Sequence, residues 1–296
     1  MENGEKVITI TQIGGGFVGN AVWKGFTHYG YDVTIVEINM PLVESLKANG
    51  VDACFMNEGC ATNRKFYFVS VPTPMIDEDI DLRFLRSAVA SLGVVIKNST
   101  NWPIIVIRST VPPGTTENDL VPILEKYSGK KVGEDFGISM NPEFLREKTA
   151  EHDFLHPWAI VVGSNDHRVA KAMEELYAPF NVKVKHLLIK EAELEKYFSN
   201  ISNAISISAL GELREIAKAV GCDPERIFKV LIETAETFWN PKYGTLDLGP
   251  FGGSCLPKDT RAFKTWAKKE LGLTMPILDA VIQANERIKE KEYLGI

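Results

Sequence analysis

A cysteine set among glycines is the residue of this chain with the clearest reactive potential. Cys255 lies in Gly249-Pro-Phe-Gly-Gly-Ser-Cys-Leu-Pro-Lys-Asp-Thr260. Glycines let backbone N–H groups come close to a ligand and adopt positive φ. Lys258 and Asp259 follow at once, and a nearby lysine favours the thiolate. Cys255 is therefore a candidate nucleophile; a small residue buried in a glycine turn is the plain alternative. A second chemistry stands near the start of the chain. Gly14, Gly16 and Gly19, in Gly14-Gly-Gly-Phe-Val-Gly19, follow the apolar residues 6–13 and precede a helical stretch. Residues 32–37 read as a second strand with Glu37 at its end. In such a strand–turn–helix–strand unit the first glycine makes the turn, the second admits a pyrophosphate, and the third lets helix and strand pack closely. The helix N-terminus faces the phosphate charge and the acid takes the ribose hydroxyls. The context predicts a dinucleotide site with Phe17 and Val18 in its turn, and the acid selects NAD over NADP.

Stretches that must position these groups alternate along the chain. Residues 66–71 are an apolar run ending in Pro72-Thr-Pro74, and residues 82–96 have helical spacing. Residues 103–108 end in Ser109-Thr-Val-Pro-Pro-Gly114, residues 136–140 end in Asn141-Pro-Glu-Phe-Leu-Arg-Glu147, and residues 159–163 form one more run. Strands alternating with helices imply a parallel, doubly wound sheet, whose ligands bind at the C-terminal ends of the strands. Val71, Pro72, Thr73, Ser109, Thr110 and residues 141–147 are thus candidates for lining a site, although Pro, Ser and Asn also serve turns. After about residue 190 the character changes. Residues 191–220 lack proline, and Leu194, Tyr197, Phe198, Ile201 and Ile205 recur at helical spacing, so one long helix is predicted, closing at Gly221. Its small residues Ser202, Ala204, Ser206, Ser208 and Ala209 suit packing on a second copy, or equally on the first domain. Asp223-Pro224 caps a helix over 225–234, and two more are expected over 259–272 and 276–293. The predicted fold class is α/β: a Rossmann-like doubly wound parallel sheet in residues 1–190, then an all-helical domain with a long central helix in residues 191–296.

Composition narrows the partners. A length of 296 residues fits two domains, and 45% hydrophobic with 24% charged residues is ordinary for a globular chain. A net charge of −6 without a long basic run weighs against nucleic acid. No apolar run approaches the ~18 residues that span a bilayer, and the N-terminus has no apolar signal region, so a cytoplasmic protein without a membrane partner is expected. Cys54, Cys60, Cys222 and Cys255 form no CxxC pair and no zinc spacing; free thiols and no metal are expected. His152 and His156 would share a helix face but read as surface or packing residues.

Taken in order, the motifs resemble the UDP-glucose/GDP-mannose dehydrogenase family. The resemblance rests on Gly14 to Gly19; Val71-Pro-Thr-Pro74; Ser109-Thr-Val-Pro-Pro-Gly-Thr115; Asn141 to Glu147; Ala192-Glu-Leu-Glu-Lys-Tyr197 with Asn200; and Phe251-Gly-Gly-Ser-Cys-Leu-Pro-Lys-Asp-Thr260. These span nearly the whole chain and lie nearest the members that act on UDP-glucose. The resemblance implies NAD as cofactor, a homodimer through the long helix, and oxidation of UDP-glucose to UDP-glucuronate by two hydride transfers without release of the aldehyde. Cys255 would hold the aldehyde as a thiohemiacetal and then a thioester. Lys196 and Asn200, one helical turn apart, would hold the alkoxide and a water. Asp259 would orient Lys196 or relay the proton. Glu143 would be the base for the hydrolytic water, positioned by Thr110. Glu143, Phe144, Leu145, Arg146, Glu147, Lys196, Asn200, Phe251 and Gly252 would line the substrate, and Glu147 would also meet the cofactor.

The sequence departs from the family in three places. Members carry a third, C-terminal nucleotide-sugar-binding domain, whereas this sequence ends at Glu292-Tyr-Leu-Gly-Ile296, on what reads as the linking helix. Pro157-Trp158 stands where Pro-Asp/Glu-Arg is usual, and residues 240–249 lack the usual arginine. Three readings follow. One is a nucleotide-sugar 6-dehydrogenase whose nucleotide site another chain completes. The second is a two-domain NAD-dependent dehydrogenase of a smaller hydroxy acid, which has no need of Cys255. The third is a catalytically incomplete NAD-binding relic, against which stands every retained side chain.

Overall fold

The computed structural model describes residues 7–56, 62–246 and 249–294. β1 (Thr9–Ile13) leads through α1 (Phe17–His28), β2 (Asp32–Glu37) and α2 (Met40–Ala48) to β3 (Ala53–Phe55). β4 (Phe66–Val69) is followed by a small hairpin, β5 (Met75–Ile76) and β6 (Asp79–Ile80), and then by α3 (Arg83–Lys97) and β7 (Ile104–Ile107). A π turn over Thr116–Leu120 opens α4 (Val121–Ser128), and β8 (Gly137–Met140), α5 (Ala150–Leu155), β9 (Ile160–Gly163), α6 (His167–Tyr177) and β10 (Val184–Leu187) follow. α7 (Ile189–Ala219) comes next, and two compact units divide within it, between Ser199 and Asn200. The second unit adds α8 (Pro224–Thr234), α9 (Glu236–Trp239), α10 (Leu256–Trp266) and α11 (Pro276–Leu294).

The first unit is built on one eight-stranded sheet in the order β10-β9-β8-β7-β4-β1-β2-β3. From β3 to β8 every pairing is parallel. Successive strand side chains point to opposite faces, and both faces are covered. On β7, Ile105 and Ile107 join the cluster under α3 and α4, while Ile104 and Val106 join the one under α1 and α6. Each such burial contributes ~1.5–3 kcal/mol. The sheet is not parallel throughout: Met140 of β8 pairs antiparallel with Gly163 of β9, and β9 and β10 run parallel to each other. A parallel return needs a crossover, usually a helix. The only helix between β8 and β9 is the short α5, and it packs on α1, where a Cβ on Gly25 would lie 2.0 Å from the Phe154 ring.

The long helix forms as its spacing predicts. It closes at Gly221, which takes φ +70°, with Cys222 N–H donating to the Ala217 carbonyl at 2.8 Å. Asp223 caps α8 by accepting from Glu225 N–H at 2.9 Å. One cysteine departs from expectation: Cys54 of β3 is disulfide-bonded. Cys222 and Cys255 are free, and Cys60 lies outside the described residues. No helix among the described residues is long and apolar enough to cross a membrane.

Candidate active site

The sheet order reverses between β1 and β4, and a cleft of about 620 Å³ opens there. Gly14 and Gly16 line it, and the three glycines of the turn differ in what a side chain would meet. Gly14 takes φ +92°, and a Cβ there would lie 2.4 Å from the Ser70 carbonyl oxygen. A Cβ on Gly19 would lie 1.9 Å from the Gly14 carbonyl oxygen. At Gly16 a Cβ would meet nothing within 4 Å, so this glycine keeps space open rather than filling a fold contact. Open space at the second glycine, ahead of a helix N-terminus, fits a dinucleotide pyrophosphate. The Glu37 carboxylate is held in place by backbone: it accepts from Gly15 N–H at 2.7 Å, Ile38 N–H at 2.8 Å and Asn39 N–H at 2.9 Å. It points at the rim of the same cleft, which Phe17, Val18, Val71, Pro72, Thr73, Ser109, Thr110 and Glu143 also line.

Two of these polar groups are committed to the loops themselves. The Ser109 hydroxyl accepts from Val71 N–H at 3.0 Å and donates to the Val71 carbonyl at 2.7 Å. Thr73 Oγ1 donates to the Thr110 carbonyl at 3.0 Å. They tie the loop after β4 to the loop after β7, and so shape the cleft wall. Thr110 is left with a half-buried side chain facing the cleft.

Glu143 joins the cleft to α7. Its Oε1 lies 3.1 Å from Lys196 Nζ, and the same ammonium donates to the Glu143 carbonyl. Glu143 Oε2 accepts from Leu145 N–H at 2.6 Å. Lys196 is only 6% exposed, and the Phe144 ring lies 5.3 Å from its Nζ. A buried ammonium needs such a partner, because an unpaired buried charge is costly. Burial pushes the Glu195 carboxyl up, against the pull of the adjoining Lys196 ammonium. One turn before Lys196, the fully buried Glu193 accepts from Thr116 N–H at 2.8 Å and from Gly114 N–H. That fixes α7 against the loop that carries Thr110.

The remaining residues of the 141–147 segment face elsewhere. Phe144 and Leu145 line a small cavity of about 40 Å³ beside Arg108, Trp158 and Tyr177. Arg146 pairs with Asp153, Nε to Oδ2 at 2.9 Å and Nη2 to Oδ1 at 2.6 Å, which holds the Asp153 carboxyl well below the usual carboxylate range. Its guanidinium also lies 5.6 Å from the exposed Trp158 ring. Glu147 lies outside the glycine cleft. It lines an adjoining one with Asn20, Lys24 and His152, and Phe17 borders both. The rings of His152 and His156 lie 4.8 Å apart, as their spacing implies.

Within the second unit, Cys255 is exposed and stands at the N-cap position of α10, without a side-chain capping bond. Its thiol lies 3.7 Å from the Ser254 hydroxyl. Lys258 turns to Asp259 at 3.2 Å rather than to the cysteine. The glycine loop is held from behind: buried Asn285 of α11 donates from Nδ2 to the Phe251 carbonyl at 3.0 Å. Gly252 and Asn200 are exposed. Thr110, Glu143 and Lys196 thus belong to the first unit, and Asn200, Phe251, Gly252, Cys255 and Asp259 to the second.

Sequence reading passed over Arg108, Tyr177, Glu193 and Asn285. An arginine ending a buried strand and an acid one turn from Lys196 were visible signals; nothing marked Tyr177 or Asn285.

A doubly wound sheet with a glycine turn at its reversal point and an acid closing β2 fits a dinucleotide-binding domain. Residues 56–181 match the NAD binding domain of the UDP-glucose/GDP-mannose dehydrogenase family, and residues 190–287 match its central domain. The chain belongs to this family. It is 33% identical to a UDP-glucose 6-dehydrogenase of Haloferax volcanii over 94% of this chain and 70% of that protein. It is 37% identical to a GDP-mannose 6-dehydrogenase of Pseudomonas putida over 70% of this chain and 47% of that one. The crystal structure of a ternary complex of GDP-mannose dehydrogenase from Pseudomonas aeruginosa superposes with a TM-score of 0.87 at 29% identity, covering 95% of this chain and 69% of that one. The chain spans about half the length of the curated relatives first matched.

Proposed function

We propose that this chain carries the catalytic part of an NAD-dependent nucleotide-sugar 6-dehydrogenase, which oxidises the primary alcohol of UDP-glucose, or of the related GDP-mannose, to the carboxylate. Relatives of both kinds support the substrate class. The observation that carries the reading is Glu143, which lines the glycine cleft and pairs with Lys196 at 3.1 Å. Bound in that cleft, NAD⁺ supplies the hydride acceptor, twice for each sugar. Lys196 stabilises the alkoxide as the hydroxyl proton leaves, with Asn200 holding the accompanying water. Asp259 receives that proton through the water. Cys255 Sγ adds to the aldehyde carbon to give a thiohemiacetal, and loss of a second hydride leaves a thioester. Glu143 takes a proton from a water that Thr110 positions; the water attacks the thioester carbonyl, the C–S bond breaks, and the thiol is restored. Phe144, Leu145, Arg146, Glu147, Phe251 and Gly252 border the sugar nucleotide in this reading.

A second copy of the chain belongs to the same proposal. Phe198, Ile201 and Ile205 of α7 are 62%, 51% and 54% exposed, on one helical face. Burying such a stripe against its mate is the ordinary remedy for an exposed apolar surface.

The test is incubation with NAD⁺ and a panel of UDP-sugars, GDP-sugars and free hydroxy acids. Two NADH for each nucleotide sugar consumed, with uronate formed, is the expected result. One NADH from a hydroxy acid would replace the reading with a simple alcohol dehydrogenase.

A further inference from the structure

Arg108 follows β7 and borders the glycine cleft, yet the proposed chemistry gives its side chain no step. It is 5% exposed, and no ion pair with it is seen among the described residues. Its Nη1 donates to Asn141 Oδ1 at 2.5 Å and to the Tyr177 hydroxyl at 3.1 Å. The Tyr177 hydroxyl donates in turn to Asn141 Oδ1 at 2.6 Å. Asn141 Nδ2 donates to the Val161 carbonyl at 2.7 Å, and Asn141 N–H to the Ile107 carbonyl at 2.8 Å. Asn141 is thereby fixed from four elements: from β7 by Arg108 and Ile107, from β9 by Val161, from α6 by Tyr177, and by its own place after β8. The Phe154 ring lies 5.6 Å from the guanidinium.

Burying an arginine without a carboxylate is expensive, and a stable fold has cheaper ways to fill the space. Arg108 Nε is left without a hydrogen-bond partner among the described residues, yet the bonds made through Nη1, Asn141 and Tyr177 specify one arrangement of the chain. The arrangement specified here is the departure of residues 141–147 from the sheet. Two residues beyond Asn141, Glu143 must present Oε1 to Lys196 and Oε2 to Leu145 N–H, and after Asn141 the segment carries no strand or helix until α5. We infer that Arg108, Asn141 and Tyr177 are positioning residues: a buried clamp that sets the loop carrying Glu143 for the hydrolysis of the thioester. The inference rests on the reading of Glu143 as the base of that step.

Hydrogen exchange of the whole chain tests the clamp without any turnover. Arg108→Met removes both hydrogen bonds while keeping much of the side-chain bulk. It should speed exchange of the Leu145 amide by at least about tenfold, while amides of β1 and β2 keep their wild-type rates. Arg108→Lys, which still donates from one ammonium, should restore most of the protection, and Tyr177→Phe should give a smaller increase. Unchanged exchange of the 142–147 amides in Arg108→Met overturns the clamp. So does an equal rise across the sheet, which would make the arginine a general stabiliser. A second arm follows single turnover with NAD⁺ and UDP-glucose or GDP-mannose. At saturating NAD⁺, Arg108→Met should slow acid release at least about tenfold more than it slows the first NADH burst, and accumulate a covalent adduct on Cys255. A burst slowed as much as acid release would remove Glu143 as the target of the clamp. If the wild-type chain makes no NADH with any nucleotide sugar, the proposed reaction fails, and the exchange arm still decides whether the clamp exists.

Discussion

α7 supplies a carboxylate to a helix start in each unit, and the two carboxylates sit in different surroundings. Glu193 is fully buried and accepts from Thr116 N–H and Gly114 N–H at the start of the turn leading into α4. Glu212, five turns further on and half-buried, accepts from Ile277 N–H at 2.5 Å at the start of α11. The physical interaction is the same: an acid facing free N–H groups where the helix dipole favours negative charge. Its surroundings follow the character of each unit. In the first, Ile104, Ile105, Val106 and Ile107 are all fully buried. In the second, the buried apolar cluster is Ile216, Ala267 and Met275, while Ile227, Val230, Ile232 and Trp239 stand exposed. The first unit completes its own core. The second leaves much of its apolar surface unburied, and it also holds the exposed thiol. One unit buries the core beneath its cleft and charge pair, whereas the other leaves apolar side chains and its thiol exposed.

The largest expected effect separates the two units. Cys255→Ser should lower uronate formation by about three orders of magnitude or more, because the hydroxyl is a far poorer nucleophile toward the aldehyde. It should leave the rise in melting temperature on adding NAD⁺ unchanged, since the glycine cleft lies wholly in the first unit. Uronate made at near wild-type rate would end the thioester mechanism. A lost NAD⁺ response would show that the two units are not separate in this respect.

The two α7 acids allow a matched comparison. Glu193→Ala strands two buried N–H groups and should cost about 3 kcal/mol in denaturant unfolding. Glu212→Ala, at a wetter helix start, should cost about 1 kcal/mol. Equal losses would mean that burial does not set the worth of these contacts. Glu193→Ala should also weaken activity more than NAD⁺ binding, because it loosens α7 near Lys196.

Much of the first unit was legible because its signals are local. The glycine turn, the acid ending β2 and the β-branched strands follow one another, and each demands the next. The long helix was equally plain, for 3.6-residue spacing survives any tertiary context. What escaped the sequence is what depends on partners far along the chain. Four apolar residues such as Ile160–Gly163 say strand but carry no direction, so the antiparallel β8–β9 contact was invisible. Arg108, Asn141 and Tyr177 meet only in the folded state. Lys258 sits close enough in sequence to serve either Cys255 or Asp259, and side-chain geometry gave it to Asp259. Ser109 was expected at the cofactor; it lines the glycine cleft, and its hydroxyl is spent on Val71.

A smaller effect tests whether a second copy completes the helical unit. Ile205→Asp places a charge in the exposed stripe of α7 and should weaken self-association by about a hundredfold or more, read by sedimentation over a concentration series. NAD⁺ binding should be unaffected. A wild-type chain that stays monomeric at every concentration would remove the second copy from the proposal and leave the exposed stripe to another partner.

The smallest effect concerns acid. Asp153 is held well below the usual range by its hydrogen bonds to Arg146, Asp81 by those to Arg83, Asp166 by those to Arg168, and Glu125 by its bond to Lys131. All four lie in the first unit. A carboxyl whose folded pKa is depressed adds stability that is fully present above its unfolded value, about 4, and is lost as pH falls through the folded value. The first unit should therefore weaken progressively below about pH 4. Hydrogen exchange of β7 peptides at pH 5 and pH 3 reads the loss. Asp153→Asn removes the most depressed of the four. It should lower stability at pH 5, where the charged pair is lost, and flatten the fall between pH 5 and pH 3. An asparagine variant with the wild-type slope would mean that the Arg146–Asp153 pair, for all its short contacts, does not govern how the first unit meets acid.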